Sequence, residues 1–374
     1  MSKIPGFDFR GFKEAFSKMF YLTLSKEYRK HILETGIRED GRSANEHREI
    51  ETLIGLLPNV HGSAFLRRGG TEVLSVATIA PLFQAREMED LRVKFTQRFF
   101  HFYNFNSFAT NSFIKGYFVN RRELGHGNLA QKALQTILLS SNDFPYVLRV
   151  VSDIFGSDGS TSQAAIIASS LALKHALVPI RELIAGVSVG MISENGKKLF
   201  LVDLIANEDF FGDMDCKVAR SSSSLVIQLD LKLPSISFRD FFIALTLAKD
   251  AIKPIINSLT GNFPVDNELG KKELSPQAKR ERWSLPYLIS FTIDTSYVGK
   301  LIGPKGAQLK RIIEDSGVTA INFFERVQSK PGDASQKEGK IISEVAIEAK
   351  DLKSIQAAKT IIYQMISQQK KRRR

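Results

Sequence analysis

Near the start of the chain, apolar residues recur at intervals of three and four positions, and this spacing predicts a helix. The residues of the apolar stripe are Phe12, Phe16, Met19, Phe20 and Leu24. The predicted helical segment covers residues 1–37, and the turn sequence REDGR follows it.

Beyond this turn, apolar and polar residues alternate, as they do in half-buried strands. The alternation is clearest in TEVLSVATIAP, residues 71–81, and in YVLRVVSDIFG, residues 146–156. Long helical patterns lie at residues 125–140 and 160–177, and a third, SFRDFFIALTLAKDAIKPIINSL, closes the block. Further strands are predicted at AGVSVGMIS, KLFLVDLI and SLVIQLDLKL. This mixture predicts an α/β or α+β domain over residues 38–262.

A second, smaller unit follows a change in composition. Residues 263–284 are polar and contain two prolines, which predicts a linker. Residues 285–368 combine the strand YLISFTID with two short helices around a G-x-x-G turn, further strands and a last helix. Residues 369–374 form a predicted basic tail, which we interpret as solvated or as an auxiliary RNA contact.

The balance of charge narrows the class of partner. The chain has 52 Lys+Arg against 40 Asp+Glu and a net charge of +12. This excess favours a polyanionic partner, although many basic proteins bind no nucleic acid. The single cysteine, Cys216, excludes an intrachain disulfide and fits a reducing compartment. No run approaches the roughly 18–20 apolar residues of a membrane span, so we predict a cytoplasmic protein with no membrane partner; an organelle is the alternative.

The stretch DFFGDMDCK, residues 209–217, gathers three aspartates and a lysine. If it is extended, Asp213, Asp215 and Lys217 project from one face, and the Phe-Phe-Gly break returns Asp209 to the same pocket. Paired carboxylates suit Mg²⁺ or Mn²⁺, and a lysine beside them suits a phosphate oxygen. An exposed acidic turn explains these residues equally well.

Two other stretches have the residue types of an anion site. In GSDGSTSQAAI, residues 156–166, glycines and hydroxyl residues precede an apolar helix, where backbone N–H groups and the helix dipole attract anions. A simple helix cap is the alternative. In NRRELGHG, residues 120–127, two arginines and a histidine offer a clamp for a phosphate backbone. Surface arginines paired with Glu123 are the alternative.

The stretch VGKLIGPKGAQLKRI, residues 298–312, places a G-x-x-G turn between two short helices. Such a turn lets the backbone approach nucleic-acid phosphates closely, and Lys305 adds a positive charge. The pattern indicates a KH-type RNA-binding domain.

Together these stretches resemble the C-terminal half of polynucleotide phosphorylase, which consists of a second RNase PH-like core domain followed by a KH domain. The resemblance covers about residues 20–315. The strings that carry it are DGR (40–42), LLPNVHGSAFLRRGGT (56–71), YNF (103–105), RRELGHG (121–127), FPYVLRVVSDI (144–154), DGSTS (158–162), LVPIRELIAGVSVGMI (177–192) and EDFFGDMDCKVA (208–219).

The resemblance implies a fold and a set of site residues. The implied fold is an α+β, RNase PH-like core of the ribosomal protein S5 domain 2-like type with mixed sheets and helices, followed by a small α/β KH domain. The implied catalytic positions are Asp209, Asp215 and Lys217, of which Asp209 and Asp215 would hold Mg²⁺ or Mn²⁺. The implied phosphate-binding residues are Ser160, Thr161 and Ser162. Those implied to hold RNA are Arg121, Arg122 and His126 at its 3′ end and Gly303, Pro304, Lys305 and Gly306 in the KH loop.

The activity implied is phosphorolysis: inorganic phosphate attacks the terminal phosphodiester of single-stranded RNA and releases a nucleoside diphosphate, reversibly. The resemblance also implies a homo-oligomeric, trimeric ring, and it raises the possibility of a separate chain that supplies the family's first core domain. Gly70 replaces a glutamate of the family pattern, and Asn106 and Ser107 replace prolines. Three hypotheses remain: a phosphorolytic exoribonuclease, which we favour, a catalytically idle RNA-binding or scaffold subunit, and a hydrolytic nuclease that uses the same acids.

Overall fold

The computed structural model describes residues 9–89, 94–110, 121–140, 143–261, 285–328 and 340–372. The predicted linker at 263–284 lies outside the described residues. Among the described helices, none is both long enough and apolar enough to cross a membrane.

The predicted N-terminal helix is α1 (Phe9–Thr35). Its first half leaves the apolar stripe in solvent, since Phe16 is 62% exposed and Met19 69% exposed. Its second half packs on the rest of the chain through Ile32, which is buried with Ile192, Leu201 and Leu204. The helix is therefore attached to the core domain by its C-terminal half.

The first sheet has five strands in the order β1-β2-β3-β7-β6, of which only β6 and β7 are parallel neighbours. Its strands are β1 (Ile50–Ile54), β2 (Gly62–Arg68), β3 (Thr71–Ala80), β6 (Phe99–Phe105) and β7 (Val147–Gly156). A separate two-stranded hairpin consists of β4 (Arg86–Glu89) and β5 (Lys94–Gln97). The alternating burial of β3 matches the alternation in its sequence.

The second sheet has four antiparallel strands in the order β11-β10-β8-β9. Its strands are β8 (Ala185–Glu194), β9 (Lys197–Val202), β10 (Met214–Arg220) and β11 (Leu225–Leu231). The helices of this domain are α2 (Arg121–Gln135), α3 (Thr161–His175), α4 (Ala206–Phe211) and α5 (Phe238–Gly261).

Helix α3 lies between the two sheets and contacts strands of both. Every residue from Thr161 to Leu173 is buried, which explains why its sequence is apolar on all sides. Its side chains join those of both sheets in one apolar core. The N-terminus of α3 is thereby fixed at the edge where the two sheets meet.

The C-terminal unit has a three-stranded antiparallel sheet in the order β12-β14-β13. Its strands are β12 (Tyr287–Asp294), β13 (Ala320–Gln328) and β14 (Lys340–Ala349), and its helices are α6 (Val298–Ile302), α7 (Ala307–Ser316) and α8 (Leu352–Arg372). Helix α8 continues into the predicted basic tail. The helices cover a separate apolar core that includes Leu301, Ile312 and Val345.

The two units are in contact. Leu82 and Val147 of the first pack with Phe324 and Ala346 of the second. The guanidinium of Arg98 forms an ion pair with the buried carboxylate of Glu344. The mixed α+β class predicted from the sequence is confirmed.

Candidate functional site

The site begins with a pair of residues on β10. Asp215 and Lys217 are two positions apart in this strand, so their side chains leave the same face of the sheet. Lys217 Nζ lies 2.6 Å from Asp215 Oδ2. It also donates a hydrogen bond of 2.9 Å to Asp230 Oδ2. Asp230 is on β11, directly across from Asp215 in the strand register.

Burial and the neighbouring charges shift the pKa values of Asp215 and Lys217. Burial raises the pKa of Asp215 to about 6, and the nearby negative charge of Asp209 adds to this, while Lys217 acts in the opposite direction. Burial alone would lower the pKa of Lys217, but the carboxylates of Asp215 and Asp230 raise it above its ordinary value. The second oxygen of Asp215, Oδ1, is buried and has no hydrogen-bond partner.

Asp209 reaches the same region from a different element. It lies on α4, which ends at Phe211 shortly before β10 begins, and its side chain is exposed. Its charge acts on Asp215 across this break. That the Phe-Phe-Gly break returns Asp209 to the pocket of Asp215 stays a prediction.

Asp213 does not join the site, contrary to the expectation that it projects with Asp215 and Lys217. It precedes the first residue of β10, and its carboxylate accepts two hydrogen bonds from the guanidinium of Arg29, at 2.8 and 2.9 Å. It also accepts hydrogen bonds from the backbone and hydroxyl of Ser193. Asp213 therefore anchors α1 to the domain.

The predicted phosphate loop faces the β10 pair. It connects β7 to α3, and Gly159 and Ser160 both adopt positive φ, 77° and 55°. The hydroxyl of Ser160 donates a 2.9 Å hydrogen bond to Leu204 O and is hydrogen-bonded to the hydroxyl of Ser188. Ser188 is directly across from Lys217 in the register of β8 and β10. The loop and the lysine thus share one side of the second sheet.

The hydroxyl groups of Thr161 and Ser162 are buried. Thr161 Oγ1 accepts a 2.7 Å hydrogen bond from Tyr103 OH, while Ser162 Oγ has no hydrogen-bond partner. The first backbone N–H groups of a helix have no intrahelical acceptor. An anion at this loop would therefore meet the backbone N–H groups of α3 together with the positive end of its dipole.

Tyr103 and His126 close the site on a third side. His126 Nδ1 lies 3.3 Å from Tyr103 OH, and the two rings meet edge to face. Burial lowers the pKa of His126 to about 3, with further lowering by the charges of Arg122 and Lys217. Burial raises the pKa of Tyr103 to about 12. Both rings are therefore neutral at pH 7, and His126 acts as a hydrogen-bonding group rather than as a cation.

The arginines lie in the first turn of α2, which starts earlier than the predicted helix. Arg121 and Arg122 are both exposed. The guanidinium of Arg122 lies 5.1 Å from the centre of the Phe105 ring, and Glu123 accepts a hydrogen bond from the backbone of Phe105. The positive charge of Arg122 lowers the pKa of both His126 and Tyr103. The arginine therefore lies at the entrance of the same site.

The residues present fit a divalent cation because Asp215 offers a carboxylate oxygen that has no other partner. Among the described residues, no group of three or more His, Cys, Asp or Glu side chains forms a metal cluster. The resemblance implies Asp209 and Asp215 as the metal-holding pair, and the unpartnered Asp215 Oδ1 is an oxygen ligand of the kind that Mg²⁺ prefers. Mg²⁺ usually retains several waters or substrate oxygens, so two carboxylates suffice.

A buried ion-pair network supports the loop from behind. The carboxylate of Asp203 accepts hydrogen bonds of 2.9 and 2.7 Å from Arg48 and lies 3.1 Å from Nε of the fully buried Arg68. Arg48 also donates to the backbone oxygen of Asp158 in the phosphate loop. The attraction of these arginines outweighs burial and holds the pKa of Asp203 well below its ordinary range.

Sequence reasoning did not identify Asp230, Ser188 or Asp203 as part of the site. Each is in a predicted strand or beside one, and nothing in the local sequence distinguishes it from an ordinary strand residue. Only the pairing of β11 and β8 with β10 brings Asp230 and Ser188 beside Asp215 and Lys217.

The predicted G-x-x-G turn lies between the two short helices α6 and α7. Gly303, Lys305 and Gly306 all have positive φ, between 53° and 76°. A Cβ added at Gly303 would lie 2.7 Å from the Cβ of Gln308, so glycine is required there for space as well as for conformation. Lys305 is exposed at the tip.

Comparisons with known proteins agree with this architecture. Residues 46–179 match the model of a family described as "3′ exoribonuclease family, domain 1". Residues 288–364 match the model of the KH domain. A polyribonucleotide nucleotidyltransferase of Gloeobacter violaceus is 39% identical over 300 residues, which cover 80% of this chain and 40% of that protein. One of Bacillus licheniformis is 38% identical over 296 residues, 79% of this chain and 40% of that protein. The chain thus spans about two fifths of the length of these relatives.

A solved structure shows the same fold. A chain of the Archaeoglobus fulgidus exosome, described as having RNA bound to the active site, superposes with a TM-score of 0.51 at 18% identity and covers 63% of this chain and 99% of that chain. The fold and the matches define an RNase PH-like domain of the 3′ exoribonuclease family followed by a KH domain. Within this class, the matched relatives are polyribonucleotide nucleotidyltransferases, and the predicted resemblance to polynucleotide phosphorylase is confirmed.

Proposed function

We propose that this protein is a phosphorolytic 3′-to-5′ exoribonuclease, that is, a polyribonucleotide nucleotidyltransferase that uses inorganic phosphate to release nucleoside diphosphates from RNA. The observation that carries the proposal is the shared site. Ser160 of the loop bonds to Ser188, whose neighbour across the sheet is Lys217. An anion cradle and an acid–lysine pair therefore border the same space.

Each group has a task in this reaction. The backbone N–H groups at Thr161 and Ser162 hold inorganic phosphate, and the Lys217 ammonium neutralises part of its charge. An oxygen of this phosphate forms a bond to the phosphorus of the last phosphodiester. The bond from that phosphorus to the 3′ oxygen of the preceding nucleotide breaks. The 3′ oxygen takes up the proton that the attacking hydrogen phosphate loses, so the shortened RNA ends in a hydroxyl and the released nucleotide carries two phosphoryl groups.

The RNA is positioned by groups of α2. Arg121 and Arg122 suit bidentate contacts with phosphodiesters near the 3′ end. Because His126 is neutral, it suits a hydrogen bond to a ribose hydroxyl or a bridging oxygen. Such positioning lowers the entropic cost of bringing phosphate and RNA together in line.

Asp209 and Asp215 are the residues that would hold Mg²⁺ or Mn²⁺. A bound dication supplies electrostatic stabilisation of the charge that develops on the phosphoryl oxygens. The unpartnered Asp215 Oδ1 supports this assignment. The raised pKa of Asp215, about 6, means that the carboxylate is ionised and available above that pH.

Partners follow from the same chemistry. Single-stranded RNA, inorganic phosphate and nucleoside diphosphates are the proposed ligands, and the KH loop supplies a second RNA contact. We propose a homo-oligomeric, trimeric ring, as the resemblance to polynucleotide phosphorylase implies, and a separate chain as a source of the family's first core domain.

The proposal predicts nucleoside diphosphates as the products. Incubation of the purified chain with single-stranded RNA, inorganic phosphate and Mg²⁺ is expected to release them, and omission of phosphate is expected to stop the release. Chromatography of the products checks this. Monophosphates released without phosphate would assign a hydrolytic nuclease instead. RNA binding without any products, also after the addition of co-purifying chains, would assign an idle scaffold.

The KH loop gives a second prediction. Lys305→Glu is expected to weaken RNA binding and to reduce the slope of log affinity against log salt by about one or more, because a phosphate contact is lost and replaced by repulsion. Lys353→Glu, which changes an exposed lysine of α8 to the same residue, is the matched control. An equal salt slope in both variants would remove Lys305 from the RNA contact.

A further inference from the structure

Lys217 is held between two carboxylates of different character. Its Nζ atom lies 2.6 Å from Asp215 Oδ2 and 2.9 Å from Asp230 Oδ2. The side chain of Asp215 is 7% exposed, whereas that of Asp230 is 56% exposed. Asp230 is thus a partly hydrated acceptor at the mouth of the site, and Asp215 is a buried one.

The position of Asp230 is fixed by the sheet. Asp230 lies opposite Asp215 in the register of β10 and β11, and Gln228 lies opposite Lys217. Gln228 Nε2 donates a 3.2 Å hydrogen bond to the same Asp230 oxygen that accepts from Lys217. The four side chains leave one face of the sheet, so the carboxylate of Asp230 has a defined orientation toward Nζ.

This arrangement matters because Lys217 and a dication compete for Asp215. An ammonium has three N–H donors and no acceptor. Nζ already contacts Asp215 Oδ2. With Asp215 as its single partner, the ammonium would be free to donate to Asp215 Oδ1 as well, in a buried environment where the attraction is strong. A second acceptor outside the buried pocket divides the attraction. It holds Nζ between Asp215 Oδ2 and Asp230, leaves Asp215 Oδ1 without a partner, and leaves one donor for a substrate oxygen.

We infer that Asp230 is a positioning residue, which holds the ammonium of Lys217 in place for inorganic phosphate and keeps Asp215 open for a cation. The inference rests on the proposed function and extends it to a residue that touches neither phosphate nor cation. Asp230 acts through Lys217 and is not itself a catalytic residue.

The test compares Asp230→Ala, which removes the acceptor, with Asp230→Asn, which removes the charge but keeps an acceptor oxygen. Binding of inorganic phosphate without RNA is measured by calorimetry, and KM for phosphate and kcat are measured with RNA. We expect Asp230→Ala to raise both Kd and KM for phosphate about tenfold, with a smaller change in kcat, and Asp230→Asn to restore part of the loss. Asp250→Ala, an exposed carboxylate of α5, is the control.

If Asp230 acted only through its negative charge, its removal would change the affinity for phosphate in the opposite direction. Removal of a negative charge near an anion site would tighten phosphate binding equally in Asp230→Ala and Asp230→Asn. That result, or parental phosphate constants in Asp230→Ala, would overturn the inference. A fall in kcat and in thermal stability with unchanged phosphate binding would overturn it as well, because it would indicate a structural role. A parent chain that neither binds phosphate nor releases diphosphates would instead refute the proposed function, and the inference with it.

Discussion

Asp215→Asn is expected to lower the turnover of RNA at least about 100-fold while it leaves RNA binding intact. The substitution keeps the size of the side chain and removes the charge that a dication requires. Losses of about this size accompany removal of one group that stabilises transition-state charge. Single-turnover assays and RNA retention on a filter check the two halves of the prediction. Turnover equal to that of the parent would exclude Asp215 from the chemistry.

The same substitution is expected to stabilise the fold at neutral pH. The folded pKa of Asp215, about 6, lies above its ordinary value, so the folded state binds more protons than the unfolded state between about pH 4 and pH 6. Stability that involves this group therefore falls as the pH rises through that window, and at pH 7 the buried charge costs on the order of 3 kcal/mol.

Thermal melts in EDTA at pH 7 and pH 4.5 measure this effect. Asp215→Asn should melt higher than the parent at pH 7, and the difference should shrink at pH 4.5, where the parental carboxyl is protonated. Asp250→Asn, at an exposed position of α5, should show no such difference. A lower melting temperature for Asp215→Asn at pH 7 would mean that its charge supports the fold through Lys217.

Asp203→Asn is expected to destabilise the core domain by roughly 3–5 kcal/mol. Asp203 is fully buried, and it compensates the buried guanidiniums of Arg48 and Arg68. When one partner of a buried ion pair is removed, the remaining charge stays buried without compensation, which is the origin of this cost. For a domain of this size, we expect the melting temperature to fall by roughly 10 °C.

Denaturant unfolding checks this prediction, with Glu51→Gln as the control because Glu51 makes only an exposed ion pair with Arg67. The control should change stability by less than about 1 kcal/mol. Phosphate binding should weaken in Asp203→Asn as well, since Arg48 also holds the backbone of Asp158 in the loop. Parental stability in Asp203→Asn would show that water or another group replaces the carboxylate.

Much of the fold follows from local sequence. The alternation in β3 and β7 marks one buried face of each strand, and the continuous apolar sequence of α3 marks a helix that is buried on all sides. The G-x-x-G turn is equally local, because positive φ at Gly303 and Gly306 is a property of those residues. Helix α2 begins at Arg121, earlier than the apolar pattern at residues 125–140 predicts, because polar residues such as Arg121 and Arg122 carry no apolar spacing.

In the candidate site, too, some features follow from local sequence and others depend on contacts between distant elements. Lys217 and Asp215 are paired by the two-residue period of a strand, and that period is visible in the sequence. Asp213 has the same period but lies outside β10, where Arg29, 184 positions away along the chain, binds it. Sequence spacing cannot reveal such a partner, because the competing contact comes from another element.

The amino-acid sequence therefore determined the elements, the two units and the residue types of the site, since these depend on periodicity, turn chemistry and charge within short segments. The tertiary structure alone decided that the phosphate loop meets β10 through Ser160 and Ser188, that Asp230 shares Lys217, and that Asp213 serves α1 instead. The reason is physical: strand register and helix docking bring together side chains that are distant along the chain, and burial then sets their charges.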